Sequence, residues 1–216
     1  MKAICLLSGG PDSAVSAAIA ASEGYTLYCL SFDYGQIAKR ELKNAKNISE
    51  ILGTKSHRIV DISFLKELYG PGVTALTDEN MPMPREFEQS VIVPFRNGIM
   101  LAIAGGYADA VRADVIFYGP HGDDTASYPD CRKEFVSAMS QAISLGTGKK
   151  LPVMNPLADK TKADVIKLAV KLGVPLELTW SCYLNGEVHC GSCESCRNRK
   201  NAFIASGIND PTKYVE

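Results

Sequence analysis

The sequence predicts an α/β fold: a mainly parallel sheet flanked by helices, followed by a small C-terminal segment made of a four-cysteine knuckle and a helix. Three observations point there. Short apolar runs alternate with longer helical patterns, the order that a parallel sheet with crossover helices requires. The strand candidates are apolar or β-branched at most positions, as strands covered on both faces are. Four of the chain's seven cysteines crowd into residues 182–196, which sets the tail apart from the body.

The elements follow in order. Residues 3–7 read as the first strand. A glycine loop follows, and a helix over 11–22 opens on Pro11, whose missing N–H is harmless in a first turn, and stops at Gly24. Residues 26–32 form the second strand. The helix expected over 38–52 puts Leu42, Ala45, Ile48, Ile51 and Leu52 on one face and ends at Gly53. A third strand spans 57–62. Residues 70–94 hold four prolines and two glycines with little periodicity, so a lid or substrate loop is expected. A helix over 97–110 and a strand over 114–118 come next, then helices over 133–144, 161–172 and 193–206. There is no internal repeat and no low-complexity linker. Residues 1–178 are therefore read as the main domain and 179–216 as the cysteine-bearing segment.

Composition excludes several classes. With 46% apolar and 22% charged residues over 216 positions, the chain has the make-up of a globular domain with a proper core. No run approaches the length of apolar sequence that spans a bilayer, so no transmembrane helix is expected. The opening MKAICLLSGG lacks a secretory cleavage region and reads as a strand entering a loop, consistent with a cytoplasmic protein. A net charge of −1 gives no global attraction to nucleic acid or to acidic membranes, so no nucleic-acid partner is expected. Seven cysteines in a chain of this kind argue for thiols or metal ligands over disulfides. Cys5 and Cys29 lie in strand runs and read as small buried hydrophobes.

The sharpest N-terminal signal is Ser8-Gly9-Gly10-Pro11-Asp12-Ser13, directly after a strand and before a helix. Two glycines let the backbone approach an anion, and the first helical turn adds unpaired N–H groups and a positive dipole end. Ser8 and Ser13 add hydroxyls. Asp12 repels phosphate by itself but suits it when Mg²⁺ lies between them. The loop and its flanks, Leu7, Ser8, Gly9, Gly10, Pro11, Asp12, Ser13, Ala14 and Val15, are the candidate phosphate-binding residues. The loop lacks the lysine of GxxxxGK[ST] and the spacing of GxGxxG, so neither a Walker A loop nor a dinucleotide fingerprint is present.

The cysteines are spaced Cys182-x7-Cys190-x2-Cys193-x2-Cys196. Four thiolates close a tetrahedral shell around one structural Zn²⁺, and Gly191 permits the turn between the second and third ligands. C-x2-C-x2-C also occurs in iron–sulfur proteins, and spacing alone leaves that alternative open. His189 precedes Cys190; with four thiolates filling the shell, it is expected behind the ligands or facing solvent. A metal with no vacant position staples the tail and does no chemistry.

Together the landmarks resemble the 7-cyano-7-deazaguanine synthase family, PP-loop ATP pyrophosphatases of queuosine and archaeosine base synthesis. They are SGGPDS from Ser8, FDYGQ from Phe32, VPFRN from Val93, YPDCR from Tyr128, PL-x3-TKAD from Pro156 and ELTWSCY from Glu177. CGSCESCRNRKNAF from Cys190 and DPTKY from Asp210 complete the set, which covers essentially the whole chain. SGGxDS marks only the superfamily; YPDCR and TWSCY joined to the knuckle are far more specific. Three features depart from the pattern: Pro11 in the variable loop position, Phe95 where glycine is commoner, and IAKRE after Gln36, with fewer arginines than usual.

The resemblance implies the PP-loop, adenine-nucleotide α-hydrolase-like fold and ATP with Mg²⁺. It further implies conversion of 7-carboxy-7-deazaguanine and ammonia into the 7-cyano compound through an activated carboxylate and an amide, and a homodimer. On that resemblance Ser8, Gly9, Gly10 and Ser13 cradle the phosphates, Asp12 engages Mg²⁺ and Lys162 is a second basic contact. Arg96 and Arg132 are candidates for the substrate carboxylate or phosphates, Tyr128 for stacking on the base, and Asp130 for accepting from its N–H edge. His121-Gly122-Asp123-Asp124 holds metal or base, or is simply a solvated turn. Cys131 is expected near the substrate but not as a nucleophile, since adenylation and ammonia attack need no thiol. The rival readings are a tRNA thiolation ATPase or amide-forming ligase on the same loop, and a non-catalytic zinc-knuckle module.

Overall fold

A computed structural model describes residues 1–215. Five strands form one parallel sheet in the order β3-β2-β1-β4-β5. They are β1 (Lys2–Leu6), β2 (Thr26–Asp33), β3 (Ser56–Asp61), β4 (Val115–Phe117) and β5 (Val153–Met154). The helices are α1 (Pro11–Ser22), α2 (Arg40–Ile51), α3 (Phe64–Tyr69), α4 (Arg96–Val111), α5 (Lys133–Thr147), α6 (Lys162–Lys171) and α7 (Glu194–Ser206).

Side chains of β1 alternate between two cores. Ala3 and Cys5, with Leu7 just past the strand, pack with α1, α2, α6 and α7, through Ala14, Ile48, Val165 and Phe203. Ile4 and Leu6 pack on the other side with α3, α4 and α5, through Leu65, Leu101 and Val136. Burial on both faces is why the strands read as continuous apolar runs. Because β1 lies between β2 and β4, the chain leaves it in opposite directions, and a crevice opens at the carboxyl ends of these strands.

The structure adds α3 and β5 to the expected elements. α3 is six residues, under two turns, and β5 is a two-residue edge strand with Met154 exposed. The 70–94 segment is irregular apart from a 3₁₀ turn at Gln89–Val91. It is tied to the body by Ile37 N donating to Leu76 O at 2.9 Å and closed on itself by Ala75 N donating to Ser90 O at 2.7 Å.

Residues 89–111 reach the length and mean hydropathy (1.3) of a membrane-crossing helix. They are not one helix: Phe95 takes a left-handed φ of 51° before α4, and Leu101, Ala104 and Ala108 face the core. At the expected 178/179 boundary packing is unbroken, since Ala202 and Phe203 of α7 belong to the core beneath α1.

Candidate active site

The β1–α1 loop sits at the crevice. Gly9 has φ +91°, and a Cβ there would lie 2.2 Å from the Glu41 carbonyl oxygen, so the loop is pressed against α2 where only glycine fits. Ser13 Oγ donates to Gly10 O at 3.1 Å, accepts from Ser8 N at 3.0 Å and lies 3.0 Å from Ser8 Oγ. These bonds curl the loop around the start of α1, whose first turn has no side-chain cap and begins with Pro11. A free helix N-terminus behind a glycine turn is an anion cradle.

α6 brings Lys162 to the same place. Thr161 caps α6 by accepting from Asp164 N at 3.2 Å, and Asp123 accepts from Lys162 N at 2.8 Å. Lys162 Nζ then pairs with Asp12 Oδ2, while Asp12 Oδ1 is buried without a partner. Burial works to raise the Asp12 carboxyl, but Lys162 and His121 outweigh it and hold it below the usual carboxylate range. The orphaned Oδ1 is the atom a Mg²⁺ would take, and an anionic aspartate is the state that binding needs. His121 is buried behind this pair, and Asp124 accepts from His121 N at 3.1 Å. The HGDD stretch therefore braces Asp12 and Lys162 and is not a freely solvated turn.

The opposite wall comes from α4 and the β2–α2 connection. Arg96 opens α4, donates to Tyr34 Oη at 3.1 Å and lies over its ring, 5.1 Å from the centroid. Gln36, fully enclosed, accepts from Tyr34 N at 2.8 Å and donates to Phe32 O at 3.1 Å and Glu41 Oε1 at 2.8 Å. Burial pushes Glu41 up to about 7, against the pull of Arg96. Cys131 is buried beside Tyr118, and burial together with Asp124 and Asp130 pushes its thiol up to about 12. A thiol so raised is protonated at neutral pH and is no nucleophile.

The four knuckle sulfurs lie within 4.8 Å of one another, with Cys190 and Cys196 Sγ 3.9 Å apart. Tetrahedral Zn–S bonds of about 2.3 Å place sulfurs about 3.8 Å apart, so the donor set fits. Cys182 Sγ accepts from Leu184 N and Cys190 N, both at 3.4 Å, and Cys190 Sγ from Cys193 N at 3.3 Å, as thiolates in metal cages do. His189 is neither ligand nor solvent-facing. It stacks on Trp180 at 4.2 Å, accepts from Ser181 N at 3.0 Å, and is lowered to about 4 by burial and by Arg199. Arg199 is 0% exposed; it donates to Thr179 Oγ1 at 2.8 Å, Ser181 Oγ at 3.1 Å and Leu176 O at 2.9 Å, locking α7 to the TWSCY stretch.

One cavity of about 740 Å³ joins these walls. Of the residues singled out in the sequence, it brings together Leu7, Ser8, Gly10, Pro11, Asp12, Ser13, Lys162, Arg96 and Tyr128. Gly9 stands behind the loop, and Ala14 and Val15 are core residues under it. Asp130 and Arg132 are not part of the lining: Asp130 accepts from Asn97 N at 3.2 Å, and Arg132 Nε donates to Thr125 O at 3.1 Å on the exposed side. Gln36, Glu41, Trp180, Tyr183, Glu194 and Asn198, which had no role assigned from sequence, also line it. A signal existed for α7: Glu194, Asn198, Asn201 and Ala205, at helical spacing, all line the cavity.

A family model described as queuosine biosynthesis protein QueC matches residues 2–207. The chain belongs to the QueC family. Among curated relatives, the 7-cyano-7-deazaguanine synthase of Oceanobacillus iheyensis is 42% identical over 220 residues, covering 99% of this chain and 98% of that one. The enzyme of the same name from Acetivibrio thermocellus is 43% identical, covering 100% and 98%. At the level of fold, the chain is similar to NMN synthetase from Francisella tularensis, with a TM-score of 0.57 and 17% identity over 96% of this chain and 78% of that one. The NH3-dependent NAD synthetase from Campylobacter jejuni gives 0.51 at 17% identity, over 82% and 66%. The QueC match thus spans both the loop and the knuckle that wall the cavity.

Proposed function

We infer that the chain is an ATP-dependent carbon–nitrogen ligase converting 7-carboxy-7-deazaguanine and ammonia into 7-cyano-7-deazaguanine. The observation that carries this is the single cavity running from the anion cradle at Ser8–Ser13 to Arg96, Tyr128 and the knuckle. Membership of the QueC family points the same way.

A carboxylate is a poor electrophile, and a nitrile carbon keeps neither oxygen. In the first step a carboxylate oxygen attacks the α-phosphorus of ATP and pyrophosphate leaves; ammonia then displaces AMP to give the amide. In the second, the amide oxygen is adenylated in turn with loss of pyrophosphate and one N–H proton, and loss of AMP and the remaining N–H proton leaves the C≡N bond. The chain's part is alignment and charge neutralisation. Ser8, Gly10 and Ser13 hold the phosphates, Lys162 exchanges its Asp12 partner for them, and Arg96 orients the acid by its fork. Tyr128 faces the base, while Asp130 and Arg132 hold α4 and the 125–132 turn in place. Asp12 would hold a Mg²⁺, which would supply charge neutralisation at the phosphates, and Cys182, Cys190, Cys193 and Cys196 would hold a structural Zn²⁺ that fixes the wall. Solution as a homodimer in the cytoplasm completes the proposal.

Mass spectrometry of 7-carboxy-7-deazaguanine incubated with protein, ATP, Mg²⁺ and ammonium tests it. The expected product is the nitrile; persistence of the free acid in the presence of all four would overturn it.

A further inference from the structure

The knuckle does more than staple the tail: its first helical residue projects a carboxylate into the cavity. Glu194 is 8% exposed and its backbone N donates to Pro84 O at 3.0 Å, which fixes where the side chain starts. Oε2 accepts from Tyr183 Oη at 2.7 Å, and Oε1 accepts from Asn198 Nδ2. Around it the cavity wall is aromatic: Tyr183, Tyr128 and Phe87, the last two with ring centroids 5.5 Å apart, edge to face.

A carboxylate offers about four acceptor positions, and two are used here. The other carboxylates lining the cavity each sit beside a cationic or imidazole group, with Asp12 keeping Oδ1 free. Asp12 pairs with Lys162, Asp123 accepts from Lys162 N, Asp124 from His121 N, and Glu41 from Gln36 with Arg96 nearby. Glu194 has no ion-pair partner among the described residues. A buried carboxyl group so placed, with acceptor positions left over, gains most from a ligand bringing two parallel N–H donors.

We propose that Glu194 is the residue that reads the base, accepting from the ring N–H and the exocyclic amino group of a 2-amino-4-oxopyrimidine edge. This rests on the reading of the substrate as a deazapurine. Chemistry explains why a carboxylate belongs there. The guanine-like edge presents two adjacent donors, whereas the corresponding edge of adenine presents one donor and one acceptor. The same cavity must also take the adenine of ATP, and a fixed double acceptor at the knuckle end keeps the two bicycles from exchanging places. The metal cage then positions a specificity determinant, because Glu194 follows one ligand, Cys193, directly.

The test is Glu194→Gln, which replaces one acceptor by a donor pair aimed at the base's own N–H. kcat/KM is measured for 7-carboxy-7-deazaguanine and for its 2-desamino analogue, with binding of each base alone by calorimetry, ATP affinity and metal content alongside. The wild type is expected to prefer the amino-bearing base about 100-fold or more, since a site built to pair an N–H rejects a ligand lacking it. In E194Q that preference falls below tenfold, through KM and base affinity, with ATP affinity and one metal per chain retained. An unchanged preference in metal-replete E194Q overturns the proposal while leaving the reaction intact. A wild type that binds the base through Glu194 but never turns it over upholds the proposal and overturns the reaction. If E194Q loses its metal, Tyr183→Phe, which removes the donor that orients Glu194 and leaves the cage untouched, decides: about a tenfold loss of preference supports it, none overturns it.

Discussion

Replacing Gly9 by alanine tests whether the loop is built by its fit against α2. The new Cβ would stand 2.2 Å from Glu41 O and 3.0 Å from Ala45 N, on a backbone at φ +91°. A side chain in left-handed backbone costs about 1–2 kcal/mol. Relieving the clash moves the loop by about 1 Å and adds about 1–3 kcal/mol of overpacking. The sum is about 2–5 kcal/mol of stability. A shift of about 1 Å in a positioning loop also costs on the order of 100-fold in rate. Gly24→Ala is the control: φ is +82°, yet a Cβ there meets nothing within 4 Å, so only the backbone cost of about 1–2 kcal/mol applies. Urea unfolding followed by fluorescence of Trp180, the single and buried tryptophan, measures both variants, and calorimetry measures ATP binding. If G9A and G24A lose equal stability and G9A binds ATP as the wild type does, the contact with α2 does not shape the loop.

Three further outcomes follow from the same geometry. Glu41 is raised by burial from 4.5 to about 7, so the folded state binds the extra proton between those values and stability falls as pH rises through that window. Glu41→Gln is therefore expected to match the wild type near pH 4.5 and to exceed it at pH 8 by up to about 3 kcal/mol, less what Arg96 loses with its counter-charge; a gap independent of pH in urea titrations contradicts this. Phe95 holds φ 51° with its ring over Gly98 and edge-on to Phe135 at 6.0 Å. Both Phe95→Ala and Phe95→Gly lose the ring, but only glycine relieves the backbone, so F95G should be the more stable of the two by about 1 kcal/mol, read from paired thermal melts. Cys193→Ser opens the metal cage; metal binding is worth about 10 kcal/mol or more in isolated knuckles, so this variant should lose its metal by elemental analysis and several kcal/mol of stability.

Much of this architecture was legible because burial on both sheet faces leaves an unambiguous mark. Thr26–Asp33 and Pro11–Ser22 match their expected spans closely, for the strand is mostly apolar and the helix has a proline start and a glycine stop. Phe64–Tyr69 and Val153–Met154 escaped because one and a half turns, or two edge residues, carry no period to count. The cysteine cluster was legible from spacing alone, since its sulfurs are supplied by neighbours in sequence. Charged residues were the blind spot. Arg199 stands beside the knuckle in sequence, yet its partners Thr179, Ser181 and Leu176 lie some twenty residues upstream and it is completely enclosed. Arg132 looked like a carboxylate clamp, yet its Nε is spent on Thr125 O across a local turn. Which of two similar arginines faces a cavity depends on the last turn of chain before it, and composition does not encode that.

On the proposed reaction, both oxygens of the bound acid leave on adenylate. Substrate carrying ¹⁸O at both carboxylate positions, incubated with protein, ATP, Mg²⁺ and ammonium, tests it most directly. Two AMP molecules per nitrile, each bearing one heavy oxygen, with unlabelled pyrophosphate, is the predicted result. Heavy oxygen in pyrophosphate or inorganic phosphate, or a single AMP per nitrile, would rule out this double adenylation.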